Sequence, residues 1–292
     1  MSVFREHPGG CAAVLDGMTS QQDHAQLFRS LHTPGSPLLL ANAWDLGSAR
    51  IIADAGARAV ATTSAGVAWG QGTADGNNLS ADDMVALVAR IAAVVDMPLS
   101  ADLESGYGKD PAGVAETVTR IVAAGAVGVN IEDTHSETVS PLRPTDEQAE
   151  RIAAARVAAD AAGVALFVNA RVDTYFHGVG GEADLLGETL ARARAYVDAG
   201  ADGVFVPWVT DLAVVAALAE GIDVPLNILA GPGAPSVAEF AKAGAARISL
   251  GSSMASAAYG VAHRASRELF TSGTYAALAG GVGYAELNAL MR

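Results

Sequence analysis

The feature that most constrains the fold is a short segment that occurs four times. Its copies span residues 53–60, 122–129, 197–204 and 241–248. Each copy has an alanine-rich stretch, then a glycine, then the start of an apolar run. Glycine readily adopts the left-handed conformation that closes a helix, so each copy predicts a helix that passes directly into a strand. Repeated helix-to-strand junctions indicate a fold built from βα units.

Eight apolar runs are predicted to form strands. They span residues 37–43, 59–64, 98–103, 127–132, 166–171, 203–208, 225–229 and 247–251. Most of them are apolar along their whole length, as expected for strands buried on both faces of a parallel sheet. Helical patterns lie between them, for example at 81–95, 111–124, 146–162 and 182–199.

Eight alternating units predict one α/β domain, a (β/α)₈ TIM-type barrel over residues 23–292 that includes C-terminal helices. A doubly wound nucleotide-binding sheet would need a G-x-G-x-x-G turn after the first strand. The sequence there is Trp44-Asp45-Leu46-Gly47-Ser48, which disfavours that fold.

Composition excludes several classes of protein. A net charge of −14 argues against nucleic-acid binding, which needs a basic surface. No apolar run approaches the roughly 20 residues of a membrane span. The single cysteine, Cys11, leaves no internal disulfide and no cysteine metal cage, so a cytoplasmic location is expected. Residues 1–22 show neither helix nor strand periodicity and are interpreted as a flexible N-terminal extension.

Carboxylates follow several predicted strands at their C-terminal ends. Asp102 and Glu104 end the third strand two residues apart, so their side chains point the same way. Glu132 ends the fourth strand, and Asp75 lies in the loop after the second. These ends form the active sites of barrel enzymes, and crowded carboxylates there favour a Mg²⁺ site. Arg171, after the fifth strand, suits a substrate carboxylate, which its planar group could bind at two points.

Other polar residues near strand ends have more than one interpretation. Acids in these loops also cap helices, a role predicted for Asp45, Asp82, Asp110 and Asp211. His135 follows the fourth strand and could act as an acid or base, or be solvated. Trp208, after the sixth strand, could line a pocket or pack at the rim.

The strand ends together resemble the isocitrate lyase/phosphoenolpyruvate mutase superfamily from about residue 37 to about residue 259. The matching segments are Asn42-Ala43-Trp44-Asp45, Thr63-Ser64-Ala65-Gly66, Asp102-x-Glu104-x-Gly106-Tyr107-Gly108, Asn130-Ile131-Glu132-Asp133, Asn169-Ala170-Arg171-x-Asp173 and Asn227. Each motif is weak alone. In this order, each at the end of its own strand, they are specific.

The resemblance implies a barrel enzyme that binds a small 2-oxo acid. Mg²⁺, with Mn²⁺ as a substitute, would bind near Asp102, with Glu104, Asp75 and Glu132 contributing directly or through water. The residues implied to bind substrate are Trp44, Ser64, Ala65, Gly66, Arg171 and Asn227. Arg171 is also predicted to be catalytic, and His135 or solvent could supply the proton that decarboxylation needs. Chelation by the metal would stabilise an enolate as a bond breaks.

The loop after the fourth strand departs from the best-known members of the superfamily. It reads Thr134-His135-Ser136-Glu137-Thr138-Val139-Ser140, without the Lys-Lys/Arg-Cys-Gly-His segment of the lyases or the Lys and Asn of the mutases. The expected reaction is therefore an oxaloacetate decarboxylase-like cleavage of a C–C bond in a 2-oxo or 2-hydroxy dicarboxylate. A phosphonopyruvate-directed mutase or hydrolase, and a non-catalytic 2-oxo acid binding protein, are the alternatives. The resemblance also implies a homo-oligomer, commonly a homotetramer that exchanges a C-terminal helix.

Overall fold

The computed structural model describes residues 20–135, 140–179, 181 and 184–292. Cys11 and most of the predicted N-terminal extension lie outside these residues. Residues 20–22, which the sequence analysis assigned to the extension, form the cap and first turn of helix α1 (Gln21–Ser30). The Ser20 hydroxyl accepts from the Asp23 backbone N–H, and the Asp23 carboxylate accepts from that of Ser20.

The remaining elements alternate along the chain. The strands are β1 (Leu38–Leu40), β2 (Asn42–Ala43), β3 (Val60–Thr62), β4 (Leu99–Asp102), β5 (Gly128–Glu132), β6 (Phe167–Arg171), β7 (Gly203–Val206), β8 (Leu226–Leu229) and β9 (Arg247–Ser249). The helices are α2 (Leu46–Asp54), α3 (Ser64–Gly70), α4 (Ala81–Ala92), α5 (Pro111–Ala123), α6 (Thr145–Ala161), α7 (Thr174–His177), α8 (Leu185–Asp198), α9 (Leu212–Gly221), α10 (Val237–Lys242), α11 (Ser253–Ser272) and α12 (Tyr284–Leu290), with a 3₁₀ turn at Ala276–Leu278. No helix among the described residues has the length and apolarity that a membrane span requires.

The first predicted strand closes the barrel. It divides at Ala41 into β1, which pairs in parallel with β9, and β2, which pairs in parallel with β3. Asn42 joins the two sides, because its amide donates to the Thr62 carbonyl and its side-chain oxygen accepts from the backbone N–H of Gly251. β1 and β2 together occupy one of eight positions, and every strand pair is parallel. The predicted (β/α)₈ barrel is confirmed.

The four repeated segments form the junctions predicted for them. Helices α2, α5, α8 and α10 each end two residues before the repeated glycine. All four glycines are left-handed, with φ between 93° at Gly56 and 105° at Gly125. A side chain at these positions would strain the backbone, which explains why glycine closes each helix.

Three of the four acids predicted to cap helices do so. Asp45, Asp110 and Asp211 accept from backbone N–H groups at the starts of α2, α5 and α9. The prediction for Asp82 is wrong. Ser80 caps α4 instead, which places Asp82 inside the first turn, where its carboxylate pairs with Arg120.

Two apolar clusters stabilise the barrel. The larger fills the space between the strands and the outer helices, with residues such as Met84, Ile121 and Leu218. The smaller lies inside the barrel at its N-terminal end, where Phe28 of α1 packs near Phe167. Gly128 makes room for this cluster, because a Cβ atom there would lie 2.6 Å from the Phe28 ring. Helix α1 thus closes the end of the barrel opposite the strand termini that carry the predicted site.

His32 packs against the same smaller cluster and should make the stability of the protein depend on pH. Its ring stacks on Phe167 with centroids 4.0 Å apart, and its Nδ1 donates to the Phe28 carbonyl oxygen at 2.7 Å. Burial and the positive charge of Arg247 lower the pKa of His32 to about 3. The folded protein binds a proton at His32 only near pH 3, whereas the unfolded chain binds one below about pH 6.5. The free energy of unfolding therefore falls as the pH falls from about 6.5 towards 3.

We expect His32 to contribute a loss of roughly 2 kcal/mol in the free energy of unfolding between about pH 6.5 and about pH 5. Urea denaturation at the two pH values measures it. A His32→Phe variant keeps the ring contacts and lacks the titrating group, so its stability should change less over the same range. Equal pH dependence in the two proteins would contradict the assignment.

Candidate active site

Asp102 ends strand β4 with its carboxylate at the mouth of the barrel. Its Oδ2 accepts from the Ser64 backbone N–H at 3.0 Å, at the start of α3. Its own N–H donates to Thr62 Oγ1 at 2.8 Å, which fixes this residue against the end of β3. The side chain is half-buried, so the carboxylate is held in place without being closed off from the mouth.

Glu104 lies two residues beyond Asp102 and is almost fully buried, with 2% of its surface exposed. Its carboxylate accepts from the Tyr107 hydroxyl at 2.9 Å and from the Asn77 backbone N–H. Desolvation raises the pKa of Glu104, and the neighbouring Asp102 raises it further against the effect of the Asn77 hydrogen bond. The site thus holds two neighbouring carboxylates, and the charge of Asp102 disfavours ionisation of Glu104.

Backbone strain is concentrated around this pair. Four described residues other than glycine have a left-handed φ, namely Asn77, Glu104, Tyr107 and Trp208. All four lie in loops that follow strands at the C-terminal end of the barrel, and strain of this kind gathers at functional sites. Arg151 of α6 supports the loop, since its Nη2 donates to the carbonyl oxygens of Ser105 and Gly108 at 2.9 and 2.6 Å.

Asp75 approaches Asp102 from the loop between α3 and α4. The residue is exposed as a whole, yet desolvation of its carboxyl group and the charge of Asp102 raise the pKa of Asp75, while a hydrogen bond with the Ser64 hydroxyl lowers it. The structure therefore brings Asp75, Asp102 and Glu104 into one electrostatic cluster, as predicted from their places in the sequence.

Arg171 faces this cluster from the end of β6. Its Nη1 lies 2.8 Å from Glu132 Oε2, and its Nε lies 2.7 Å from Asp173 Oδ1. Burial alone would lower the pKa of Arg171, but the two carboxylates raise it above its usual range. Burial raises the pKa of Glu132, and Arg171 opposes that rise. Among the described residues, no hydrogen bond involves Nη2 of Arg171.

The ion pairs of Arg171 limit how it can bind a substrate. Its Nε and Nη1 already face carboxylates, so Nη2 is the nitrogen best placed to donate to a substrate carboxylate, and the two-point contact stays a prediction. Its side chain is 18% exposed, so Nη2 remains within reach of the mouth.

A buried network that the sequence analysis did not predict supports this arginine. Asp133 Oδ1 accepts from the Asp173 backbone N–H at 2.9 Å, and its Oδ2 accepts from Tyr196 and Arg192 at 2.8 and 3.2 Å. Burial raises the pKa of Asp133 to about 6. Asp173 also accepts from the Thr134 hydroxyl at 2.6 Å. The sequence carries a signal for both acids, since Asp133 directly follows the end of β5 and Asp173 lies two residues beyond the end of β6.

The predicted carboxylate-binding segment forms the start of α3. Among the described residues, nothing accepts from the backbone N–H groups of Ala65 and Gly66, whereas the N–H of Ser64 is taken by Asp102. A Cβ at Gly66 would lie 2.9 Å from the Cβ of Trp44, so only glycine allows this close packing. Trp44 is half-buried beside these amides.

Asn227 lies deeper than predicted. It is 1% exposed in β8, and its amide bonds with Asn169 and Ser249 inside the barrel. The structure does not bring it to the mouth with Asp102 and Arg171, and its role in substrate binding stays a prediction.

His135 is half-buried beside a cavity of about 770 Å³ at the mouth. The cavity extends between the loops after β3, β4 and β5, and Asn77, Tyr107, Lys109 and Arg143 also line it. His177 contacts the Thr134 hydroxyl at 3.0 Å and lies next to the Asp173 network.

No three histidine, cysteine or carboxylate side chains among the described residues converge as a cage for a metal ion. Glu132 is engaged by Arg171, and Glu104 by Asn77 and Tyr107. Mg²⁺ is usually held by one or two carboxylates and keeps several waters, so a cage is not needed for it. Asp102, whose Oδ1 has no hydrogen-bond partner in the described part, fits a direct ligand best.

A parallel barrel with ionisable side chains gathered at the C-terminal ends of its strands has the arrangement of a (β/α)₈ enzyme. The model of the phosphoenolpyruvate phosphomutase family matches residues 28–270. The chain belongs to this family, within the isocitrate lyase/phosphoenolpyruvate mutase superfamily, as its motifs indicated.

Similar sequences include enzymes of this superfamily. An uncharacterised protein of Mycobacterium tuberculosis strain H37Rv is 39% identical over 240 residues, which cover 82% of this chain and 87% of that protein. The 2-methylisocitrate lyase of Escherichia coli K12 is 32% identical, covering 68% and 67%. An oxaloacetate decarboxylase of Pseudomonas savastanoi pv. phaseolicola is 31% identical, covering 72% and 71%.

A solved structure confirms the architecture. A Burkholderia cenocepacia J2315 protein, proposed to be a lyase or mutase, superposes with a TM-score of 0.87 at 39% identity. The match covers 93% of this chain and 96% of that one, so the barrel and its added helices are shared almost throughout.

Proposed function

We propose that the protein is a Mg²⁺-dependent lyase that cleaves a C–C bond of a small 2-oxo or 2-hydroxy dicarboxylate, in the manner of an oxaloacetate decarboxylase. The observation that carries the proposal is the placement of Asp102, Glu104 and Asp75 in one cluster facing Arg171 at the mouth of the barrel. Similarity to oxaloacetate decarboxylases and 2-methylisocitrate lyases supports this class of substrate.

The carboxylate cluster fits a hard divalent cation. Desolvation, together with the charge of Asp102, raises the pKa values of Glu104 and Asp75, and a bound Mg²⁺ would lower them. Asp102 would hold the ion directly, with Asp75, Glu104 and Glu132 acting through water, and Mn²⁺ could substitute. When bound, the metal supplies a positive charge that stabilises an enolate oxygen.

The protein's own groups would orient the substrate. One substrate carboxylate would accept from the backbone N–H groups of Ala65 and Gly66, and from the Ser64 hydroxyl in exchange for Asp75. Arg171 Nη2 would reach the same ligand, and Trp44 would form one wall. Decarboxylation leaves an enolate carbon that needs one proton, which His135 or solvent could deliver from the cavity side.

The first test is metal-dependent consumption of oxaloacetate. Decarboxylation with Mg²⁺ should exceed the rate with Mg²⁺ alone by at least about a hundredfold, and excess chelator should abolish the difference. 2-Methylisocitrate serves as the second substrate. Activity that survives exhaustive removal of metal would contradict the proposal.

Two alternatives predict different results in the same experiment. Turnover of phosphonopyruvate, followed by phosphorus NMR, would favour a mutase or hydrolase, an activity that the family model allows. Tight Mg²⁺-dependent binding of oxalate without turnover of these acids would favour a binding protein. We further propose that the reaction takes place in the cytoplasm, on the evidence of the single cysteine.

We also propose that the chain forms a homo-oligomer through α11. This helix buries only Ala255 fully, and its Leu269 and Phe270 are 50% and 83% exposed. Exposed apolar surface of this kind marks interfaces. Light scattering after size-exclusion chromatography should give a dimer or tetramer, and Phe270→Glu should shift it towards the monomer. A monomeric wild-type protein would contradict the proposal.

A further inference from the structure

Two aromatic side chains stack at the mouth of the barrel and remain exposed. Phe176 belongs to α7, just after β6, and Trp208 follows the end of β7. Their ring centroids are 5.7 Å apart and their planes differ by 12°. Phe176 is 45% exposed and Trp208 is 62% exposed. We refer to this pair as the aromatic platform.

The aromatic platform adjoins the proposed carboxylate-binding arginine. The guanidinium carbon of Arg171 lies 5.8 Å from the centroid of the Phe176 ring and 5.8 Å from that of Phe205. A cation at this distance holds the Phe176 ring in place. A ligand that contacts Arg171 Nη2 therefore has an apolar surface next to its anionic end.

The backbone of Trp208 indicates that its exposure has a function. Its φ of +65° is left-handed, a conformation that glycine adopts freely and a bulky side chain adopts only at a cost in free energy. An exposed tryptophan in place of glycine needs a compensating interaction. Stacking on Phe176 supplies part of it, yet leaves most of the Trp208 surface in water.

The two sides of the mouth differ in character. The loops after β3, β4 and β5 surround the cavity of about 770 Å³. Among the described residues that line it, Lys109 and Arg143 are cationic and none is a carboxylate. The aromatic platform lies further round the barrel, after β6 and β7, where Arg171 ends β6. A ligand anchored at the centre therefore meets cationic groups on one side and an apolar surface on the other.

We infer that the aromatic platform binds an aromatic or other planar apolar substituent of the substrate. The substrate would then be a 2-oxo or 2-hydroxy acid that carries this substituent on the carbon next to the oxo or hydroxy carbon. This inference rests on the proposed function, because it takes the acid group to bind beside Arg171. Phe176 and Trp208 determine specificity and take no part in bond cleavage.

Isothermal titration calorimetry with Mg²⁺ tests the inference with three probes: oxalate, pyruvate and phenylpyruvate. Phenylpyruvate is pyruvate with a phenyl group on the methyl carbon, so it reports the platform alone. We expect wild-type protein to bind phenylpyruvate at least about tenfold more tightly than pyruvate. Trp208→Gly, which suits the left-handed backbone, should remove most of that preference while changing the oxalate Kd less than about twofold.

Two further variants separate stacking from a general loss of apolar surface. Phe176→Leu keeps an apolar side chain without a ring and should lower the preference in part. Tyr284→Ala removes an aromatic side chain that is 86% exposed in α12, outside the loops that carry the platform, and should leave all three affinities unchanged.

The results that would contradict the inference can be told apart from those that would contradict the proposed function. If oxalate binds with Mg²⁺ but phenylpyruvate and pyruvate bind equally, or Trp208→Gly leaves their ratio unchanged, the platform does not bind substrate and the proposed function still stands. If oxalate does not bind in the presence of Mg²⁺, the proposed function fails and this inference with it. A change of oligomeric state in Trp208→Gly would instead make the platform a subunit contact.

Discussion

Replacing Asp102 by alanine is expected to lower Mg²⁺-dependent decarboxylation of oxaloacetate by about a thousandfold, to the level seen with excess chelator. Asp102 is the only carboxylate of the cluster that is half-buried, fixed by the Ser64 N–H at 3.0 Å, and not held by a second side chain. Removing it also removes a charge that disfavours ionisation of Asp75 and Glu104, so the variant should fold. Steady-state rates and a thermal melt of each protein measure both effects.

Two comparisons separate metal binding from other causes of lost activity. Asp102→Asn keeps an acceptor for the Ser64 N–H but loses the negative charge, so it should lose activity nearly as fully as Asp102→Ala. Asp160→Asn removes a carboxylate that is 68% exposed on α6 and should keep wild-type activity. Substantial metal-dependent activity in Asp102→Ala would place the metal on other residues.

The barrel could be predicted because its signals are local. A glycine after an alanine-rich helix favours the left-handed backbone conformation that ends the helix. Gly56, Gly125, Gly200 and Gly244 all adopt this conformation. Strands buried on both faces are apolar throughout, which makes them visible in the sequence. The division of the first strand at Ala41 has no such signal, because it depends on how two ends of the sheet meet when the barrel closes.

The sequence predicted which residues lie at the candidate site better than it predicted the contacts between them. Asp102, Glu104 and Arg171 could be placed from the rule that strand ends meet at one face. The depth of Asn227 could not, because β8 continues to Leu229 and sheet stagger sets the level of each side chain. The contact between the Asn77 backbone and Glu104 depends on two left-handed residues from different loops, which no local pattern shows.

Replacing Arg171 by methionine is expected to destabilise the protein by about 3 kcal/mol and to lower activity by at least about a hundredfold. Glu132 and Asp173 would remain buried without the cation that both contact, and an unpaired buried charge costs more than the pair contributes. The substrate would lose its cationic contact at the same time. Urea denaturation gives the free energy of unfolding, and steady-state kinetics give the rates.

A second substitution separates the two effects of Arg171. Adding Glu132→Gln to Arg171→Met removes one of the unpaired carboxylates, so roughly half of the lost stability should return while activity stays low. Arg120→Met breaks an exposed ion pair with Asp82 and should cost much less stability, because solvent already screens that pair. If the double variant were no more stable than Arg171→Met, the lost stability would come from the packing of Arg171 against Phe176 and Phe205 rather than from unpaired buried carboxylates. If activity returned together with stability, Arg171 would be a structural residue, and the substrate carboxylate would depend on Ser64, Ala65 and Gly66.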